Sequence, residues 1–266
     1  MGSQRSAPCA RSFGAGGGPH QGDGSGLLQR ARQRPIGAAR RSVKSFVGND
    51  LIDLDAAHNR GRSQQPRFLQ KIFSVAECAQ LADQNAGDFG FALLWSAKEA
   101  AYKAAKKAQP HLVFAPRRWS VSIESLLPGL ADRHGRVQID EQTQVAVQWQ
   151  SAAHWLHCIA LLGTPSARIE HAVAALPTTP PAANFSARER AGFSRPESAA
   201  VRSLAKQLLQ RCGIDEVEIL RDSEAGLRLP PRAAVNGVAL AGVDLSLSHD
   251  GAYVAAVIAI AARDQP

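Results

Sequence analysis

The sequence lacks a long run of apolar residues. No uninterrupted stretch approaches the roughly 18 residues that a membrane-spanning helix needs. The longest candidate, Ala252–Ala262, is too short for such a helix and is typical of a buried strand. Hydrophobic residues make up 45% of the 266-residue chain, an ordinary share for a globular domain, so we expect no membrane association.

Cysteine is scarce as well. The four cysteines, Cys9, Cys78, Cys158 and Cys212, lie far apart and form no C-x-x-C pair. This spacing argues against a zinc site and against a disulfide framework. A reducing, cytoplasmic location is therefore expected.

Acidic residues are nearly absent from the first 45 residues. Asp23 is the only acid there against eight Lys and Arg, so this segment carries 8 − 1 = +7, and the remainder carries 23 − 22 = +1. Residues 1–44 are rich in Gly, Arg, Ser and Gln without apolar periodicity, which predicts a disordered basic tail. A transit peptide, a myristoylation signal and an overlong predicted start are alternatives for this tail. Nucleic-acid binding through it is not expected, because Phe13 is its only aromatic residue.

A first α/β segment is predicted over residues 45–176. Phe46–Leu54 is expected to form a strand, and Ser74 with Glu77 matches a capping box that opens a helix. Residues 91–107 carry apolar and small side chains at helical spacing, and short strands follow after Pro116.

A second segment is predicted over residues 186–266, after a proline-rich linker at 177–185. It is expected to contain a helix ended by Gly213 and a hairpin that turns around Asp250-Gly251. Both segments follow the order helix, strands and apolar closing strand. This order suggests an internal duplication, with chance similarity of two apolar strands as the alternative.

The segment Trp95–Lys103 combines residue types suited to phosphate and metal chemistry. Helical spacing places Trp95, Glu99 and Lys103 one turn apart on one face, with Lys98 beside them. A carboxylate and two ammonium groups can hold a metal ion together with an anionic leaving group. Alone, the spacing favours a surface helix with a Glu–Lys pair and a buried Trp over a functional site.

Two further motifs contain candidate site residues. Gly48-Asn-Asp50 places an acid near the end of an apolar strand, where it can point into a cleft. Ser248-His249 lies at the tip of the predicted hairpin, where the His can donate to a phosphate. Taken singly, the first also suits a strand ending in a turn, and the second a His that satisfies a turn carbonyl.

Together, and in this order, the three motifs resemble those of the 4'-phosphopantetheinyl transferase superfamily. That family carries G-x-D on a strand, W-x-x-K-E-A-x-x-K on a helix and S-x-S-H at a strand end. The segment from Lys71 to Glu77 also resembles the family's sequence between the first two motifs. The motif order is that of the short holo-acyl-carrier-protein synthase branch, with a fused second half. The resemblance implies an α+β fold, a pseudo-dimer of two similar halves that each pack a small antiparallel sheet on helices.

The resemblance implies Mg²⁺-dependent transfer of 4'-phosphopantetheine from coenzyme A to a serine of an acyl or peptidyl carrier protein. Asp50 and Glu99 would bind the metal, and Glu99 would help to remove the serine proton. Lys103 would stabilise the leaving 3',5'-ADP. Ser248 and His249 would hold phosphate oxygens of coenzyme A.

Some features depart from the family pattern or leave choices open. Lys98 would support either the phosphates or the helix, and Arg228 would replace the usual Lys of a G-K-P element. Asp244 belongs to a second G-x-D that no K-E-A helix follows. A monomer is expected, because two fused halves make self-assembly unnecessary. An inactive carrier-binding homologue is the rival hypothesis, and fatty-acid, polyketide and peptide synthesis are all possible pathways. Candidate carrier-binding residues are Arg117, Arg118 and the group Arg188–Arg195.

Overall fold

The computed structural model describes residues 45–129, 132–163, 167–179, 185–193, 195–224 and 227–261. The predicted tail, Cys9, Gly226 and the side chain of Arg228 lie outside this description. The helices are α1 (Pro66–Ile72), α2 (Val75–Asp83), α3 (Gly87–Ala108), α4 (Ala187–Ala191) and α5 (Pro196–Arg211). The strands of the first sheet are β1 (Phe46–Asp53), β2 (Ser120–Ile123), β3 (Asp132–Gln138), β4 (Gln144–Ser151) and β5 (Trp155–Leu162). The later strands are β6 (Ala167–Ala175), β7 (Glu218–Leu220), β8 (Ser223–Glu224), β9 (Leu227–Arg228), β10 (Arg232–Val235), β11 (Val238–Ala239), β12 (Val243–Asp250) and β13 (Tyr253–Ala261).

The first sheet packs against the long helix α3. Its strands follow the order β1-β5-β4-β3-β2, with antiparallel pairing throughout. Ala100 and Ala104 of α3 are fully buried, and a Cβ added at Gly48 of β1 would lie 1.9 Å from the Ala100 carbonyl oxygen. Only glycine therefore permits this close approach. The approach brings Asp50, two residues further along β1, next to the helix.

The second sheet packs against α5. Its strands follow the order β12-β13-β6 and are also antiparallel, and a smaller sheet β11-β10-β7 lies beside it. Leu208, Leu209 and Ala205 of α5 are buried in the core of this half. The predicted hairpin is present as β12 and β13, and the predicted end of the helix at Gly213 has a left-handed φ of 74°. The expected α+β fold with antiparallel sheets is therefore confirmed.

Strand β6 differs in position from the sequence expectation. It precedes the predicted linker at 177–185, yet it pairs with β13 from Tyr253↔Ala175 to Ala261↔Ala167. By hydrogen bonding, β6 thus belongs with the second half. Its backbone pairs with a strand that follows it by about 80 residues, a relation that local sequence patterns do not encode.

The two halves meet along β1 and β12, which lie side by side without backbone pairing to each other. Alternate backbone N–H groups of β1 donate to side-chain oxygens of β12, always to the residue 197 positions later. We call this set of contacts the side-chain ladder. It satisfies the outer edge of β1, which would otherwise present free N–H groups. The rungs are Val47 to Asp244 Oδ2 at 2.7 Å, Asn49 to Ser246 Oγ at 3.0 Å, Leu51 to Ser248 Oγ at 3.1 Å and Asp53 to Asp250 Oδ2 at 2.8 Å.

Candidate functional site

A cleft of about 450 Å³ lies where β1, α3, α5 and the end of β12 meet. Asp50 and Lys103 line it from the first half, and Ser248 and His249 line it from the second. Residues predicted from three separate motifs therefore share one cavity. Its volume falls within the roughly 300–1,000 Å³ of small-molecule and cofactor sites.

Asp50 is a nearly buried carboxylate at the base of the cleft. It is 8% exposed, and its Oδ1 accepts a hydrogen bond from Lys103 Nζ at 2.8 Å. Ser248 Oγ lies 3.4 Å from the same oxygen. Burial raises the pKa of Asp50, and the charge of Asp250 raises it further, while Lys103 and the Ser248 hydroxyl lower it. Additional positive charge in the site would therefore stabilise the ionised form of Asp50.

Glu99, a half-buried carboxylate of α3, is not among the residues that line the cleft, but it lies close enough to Asp50 and Lys103 for their charges to shift its pKa. Burial, followed by the negative charge of Asp50, raises its pKa to about 7, and the charge of Lys103 opposes this shift. A carboxylate whose charged form is destabilised by burial and by a second carboxylate is stabilised by a nearby cation. Mg²⁺ takes oxygen ligands and keeps several waters, so a site with two carboxylates fits it. No group of three or more His, Cys, Asp or Glu residues that could hold a metal occurs in the described part of the chain.

Lys103 bridges β1 and the cleft. Its Nζ donates to the Asn49 carbonyl at 2.8 Å as well as to Asp50, and its side chain is 31% exposed. The ammonium group is therefore held by the strand while remaining open to an anion in the cavity.

Lys98 lies outside the cleft. Its side chain is 0% exposed, and its Nζ donates to Glu77 Oε2 at 2.6 Å. The same Nζ donates to the carbonyls of Ile72, Pro116 and Trp119. Of the two predicted roles, these contacts fit support of the helix and not support of phosphates. Cofactor binding by Lys98 would require breaking a buried ion pair.

Ser248 and His249 differ in how freely they face the cavity. Ser248 Oγ accepts the Leu51 N–H of the side-chain ladder, and its hydroxyl is shared with Asp50. His249 is exposed at the end of β12 and lines the cavity. Trp95 lies away from this wall and packs between Phe91 and Phe114, with ring centroids at 6.4 and 5.8 Å.

Several cleft residues were missed by the sequence motifs. Arg202 of α5 is buried, and its guanidinium donates to the carbonyls of Ser198 and Ile219 and lies 5.2 Å from the Phe193 ring centre. Arg221 follows β7 and is exposed at the opening. An arginine inside the apolar stripe of a predicted helix was the available signal for Arg202. The exposed Arg117 and Arg118 do not line the cleft.

Residues 46–154 match the family model of the 4'-phosphopantetheinyl transferase superfamily. The matched segment contains Gly48, Asp50 and all of α3, so the resemblance predicted from the motifs is confirmed there. It ends just before β5 and does not include α5 or β12. A search of the curated proteins finds no match to this chain. Within the described residues, every helix is too short or too polar to cross a membrane.

Proposed function

We propose that this protein, whose residues 46–154 belong to the 4'-phosphopantetheinyl transferase superfamily, transfers 4'-phosphopantetheine from coenzyme A to a carrier-protein serine. The activity would be of the holo-acyl-carrier-protein synthase type. The observation that carries the proposal is the shared cleft. There, Asp50 and Lys103 of the matched segment face Ser248 and His249 of the other half.

The reaction breaks a phosphoanhydride bond of coenzyme A and forms a phosphate ester of the serine. The serine oxygen forms a bond to the β-phosphorus of coenzyme A, and the bond from that phosphorus to the bridging oxygen breaks. The serine loses its proton, and 3',5'-ADP leaves with the bridging oxygen. Most of the rate enhancement would come from positioning and charge stabilisation.

Glu99 would act on the attacking serine and Lys103 on the leaving group. Glu99 would accept the serine proton; its pKa of about 7 is that of the metal-free site, and bound Mg²⁺ would lower it and keep the carboxylate ionised near neutral pH. Lys103, held by the Asn49 carbonyl and open to the cleft, would stabilise the leaving phosphate. Asp50 and Glu99 would hold Mg²⁺, which supplies positive charge to the pyrophosphate when bound.

His249 and Ser248 would bind phosphate oxygens of coenzyme A from the opposite wall. His249 has the more open position, whereas Ser248 Oγ already contacts Leu51 N–H and Asp50. We therefore expect His249 to contribute more to coenzyme A affinity than Ser248. Both residues reach the cleft only because β12 lies beside β1.

The partner would be an acidic acyl or peptidyl carrier protein. Exposed arginines of the second half, including Arg188 and Arg190, would attract the acidic carrier protein and so favour its association. A monomer in the cytoplasm fits this proposal, since both walls of the cleft come from one chain. Membrane and nucleic acid have no part in it.

The decisive measurement is the intact mass of apo carrier proteins incubated with coenzyme A, Mg²⁺ and this protein. We expect a gain of one phosphopantetheine mass, at a rate that Glu99→Gln lowers strongly. Glu141→Gln, in an exposed turn, is the matched control and should retain activity. No mass gain across several fatty-acid, polyketide and peptide carriers would refute the transferase. Carrier binding without a mass gain would favour the inactive scaffold.

A further inference from the structure

Asp244 lies in a G-x-D sequence that the proposed reaction does not use. Its Oδ2 accepts the Val47 N–H at 2.7 Å, which makes it the first rung of the side-chain ladder. Its two carboxylate oxygens also lie 3.0 and 2.9 Å from Lys107 Nζ. Asp244 thus contacts both β1 and α3 of the other half.

Lys107 is nearly enclosed by these contacts. Its side chain is 5% exposed, and its Nζ also donates to the carbonyls of Val47 at 2.6 Å and Leu245 at 2.7 Å. One ammonium group therefore joins the backbone of β1, the backbone of β12 and a carboxylate. A contact of this kind fixes the position of β12 along β1, not merely its distance from it.

The same helix face carries Lys103 one turn earlier. Lys103 repeats the arrangement on the catalytic side, since its Nζ contacts the Asn49 carbonyl and Asp50. The spacing along α3 and the spacing along β1 thus agree, with Lys103 at Asn49 and Lys107 at Val47. This agreement links the placement of β12 to the placement of the cleft residues.

We infer that Asp244 and Lys107 are positioning residues that set the register of β12, so that His249 faces Asp50 and Lys103. This inference rests on the proposed function for its consequence and on the contacts of Lys107 for its geometry. A displacement of β12 by one rung would move each acceptor of the side-chain ladder by two residues. His249 would then leave its position opposite Lys103.

The first test measures register without any ligand. Amide hydrogen exchange is compared between the wild type, Asp244→Asn and Glu170→Gln, an acid in the exposed Arg168–Glu170 pair of the same sheet. We expect Asp244→Asn to accelerate exchange about tenfold or more at Val47 and also at Asn49 and Leu51. Acceleration confined to Val47, or equal acceleration in Glu170→Gln, would overturn the inference.

The second test asks whether Asp244 acts through His249. Coenzyme A affinity is measured by calorimetry for Asp244→Asn, His249→Ala and the double variant, with Glu170→Gln in both backgrounds as control. We expect Asp244→Asn to weaken binding about tenfold when His249 is present and less than twofold when it is absent. Equal weakening in both backgrounds would overturn the inference.

The two proposals fail differently. Coenzyme A binding with a coupled Asp244–His249 effect but no carrier modification would refute the transferase and retain the positioning role. Carrier modification that Asp244→Asn and Lys107→Met leave unchanged would refute the positioning role alone. Without coenzyme A binding by the wild type, the transferase is refuted and the exchange measurement decides the register.

Discussion

Both halves of the molecule contain the same buried ion pair, in which the capping-box Glu of a short helix binds a Lys of the following long helix. We call this pair, with its surrounding contacts, the anchor; the residues next to it differ between the halves. In the first half, Ser74 caps α2, Glu77 completes the capping box, and Lys98 of the long helix binds Glu77. Phe73 lies 5.2 Å from the Lys98 ammonium, and Glu77 Oε1 accepts the Val121 N–H of β2 at 2.9 Å. These contacts fix the long helix against the start of the next strand.

The second half repeats each of these contacts. Ser186 caps α4, Glu189 completes the box, and Lys206 of α5 binds Glu189 at 2.9 Å. Phe185 lies 5.1 Å from the Lys206 ammonium, and Glu189 accepts the Ile219 N–H of β7 at 2.9 Å. In each half, the strand before the helices then pairs with the second strand of the last hairpin. These matches support the predicted pseudo-dimer.

The difference between the halves lies one residue after the anchoring lysine. Glu99 follows Lys98 and is close enough to Asp50 for that carboxylate to raise its pKa, whereas exposed Gln207 follows Lys206. The anchor thus builds a helix in both halves, and only the first half adds a carboxylate to it. Lys98 thus has a structural role that Lys206 shares, whereas the neighbouring Glu99, proposed as a site residue, has no counterpart in the second half.

Replacing the Glu99 carboxylate should give the largest difference in activity between matched changes in the two halves. Glu99→Gln is expected to lower carrier modification on the order of 10²–10³-fold, because it removes the proposed proton acceptor. Gln207→Glu, the matched change in the second half, should leave the rate within about twofold of the wild type, because exposed Gln207 has no proposed role in the reaction. Initial rates by mass spectrometry measure both. A comparable loss from both changes would mean that the halves are functionally equivalent.

Breaking the anchors should destabilise both halves, and the first more than the second. Lys98→Met leaves Glu77 buried without its cation, at a cost of about 3–5 kcal/mol in free energy of unfolding. Lys206→Met should cost less, because Lys206 is 15% exposed and Lys98 0%. Urea unfolding gives both values. Equal costs would show that burial of the lysine does not decide the strength of the anchor.

Glu99 should also make the free energy of unfolding depend on pH. Glu99 keeps its proton up to about pH 7 when folded, while the unfolded chain releases it near its ordinary pKa of 4.5. The unfolded state therefore binds fewer protons in this window, and stability falls as pH rises through it, by about 2–3 kcal/mol. Unfolding in EDTA at pH 5 and 8 measures the fall. Glu99→Gln should reduce it, and an unchanged slope would contradict the raised pKa.

The helix caps should show the smallest effect and no difference between the halves. Ser74→Ala and Ser186→Ala each remove a side-chain oxygen that accepts an N3 amide, at about 1 kcal/mol. Ser120→Ala, at an exposed strand position, serves as control. Thermal unfolding measures all three. A loss at only one cap would argue against equivalent anchors.

Local patterns were sufficient to predict much of this architecture. The Ser74–Glu77 capping box, the long helix and the hairpin around Gly251 depend on residues close in sequence, and the structure contains all three. Ser186 with Glu189 has the same four-residue signature, so the second anchor could have been found in the same way.

Contacts between distant residues could not be predicted in this way. The inward direction of Lys98 depends on Glu77, 21 residues earlier, and helical spacing alone leaves it free to flank Glu99. The pairing of β6 with β13 is likewise not local, so no sequence pattern near β6 indicates it. The joint site of Asp50 and His249 came from motif resemblance, since nothing near either residue indicates the other.

The side-chain ladder also bears on aggregation. An open strand edge is a template for pairing with other chains, and β1 carries the proposed catalytic Asp50 on such an edge. Its alternate N–H groups are occupied by Asp and Ser side chains of β12, which cannot extend a sheet further. The second half therefore covers the open edge of the strand that bears the candidate site. A fragment without β12 would expose that edge and be prone to self-association.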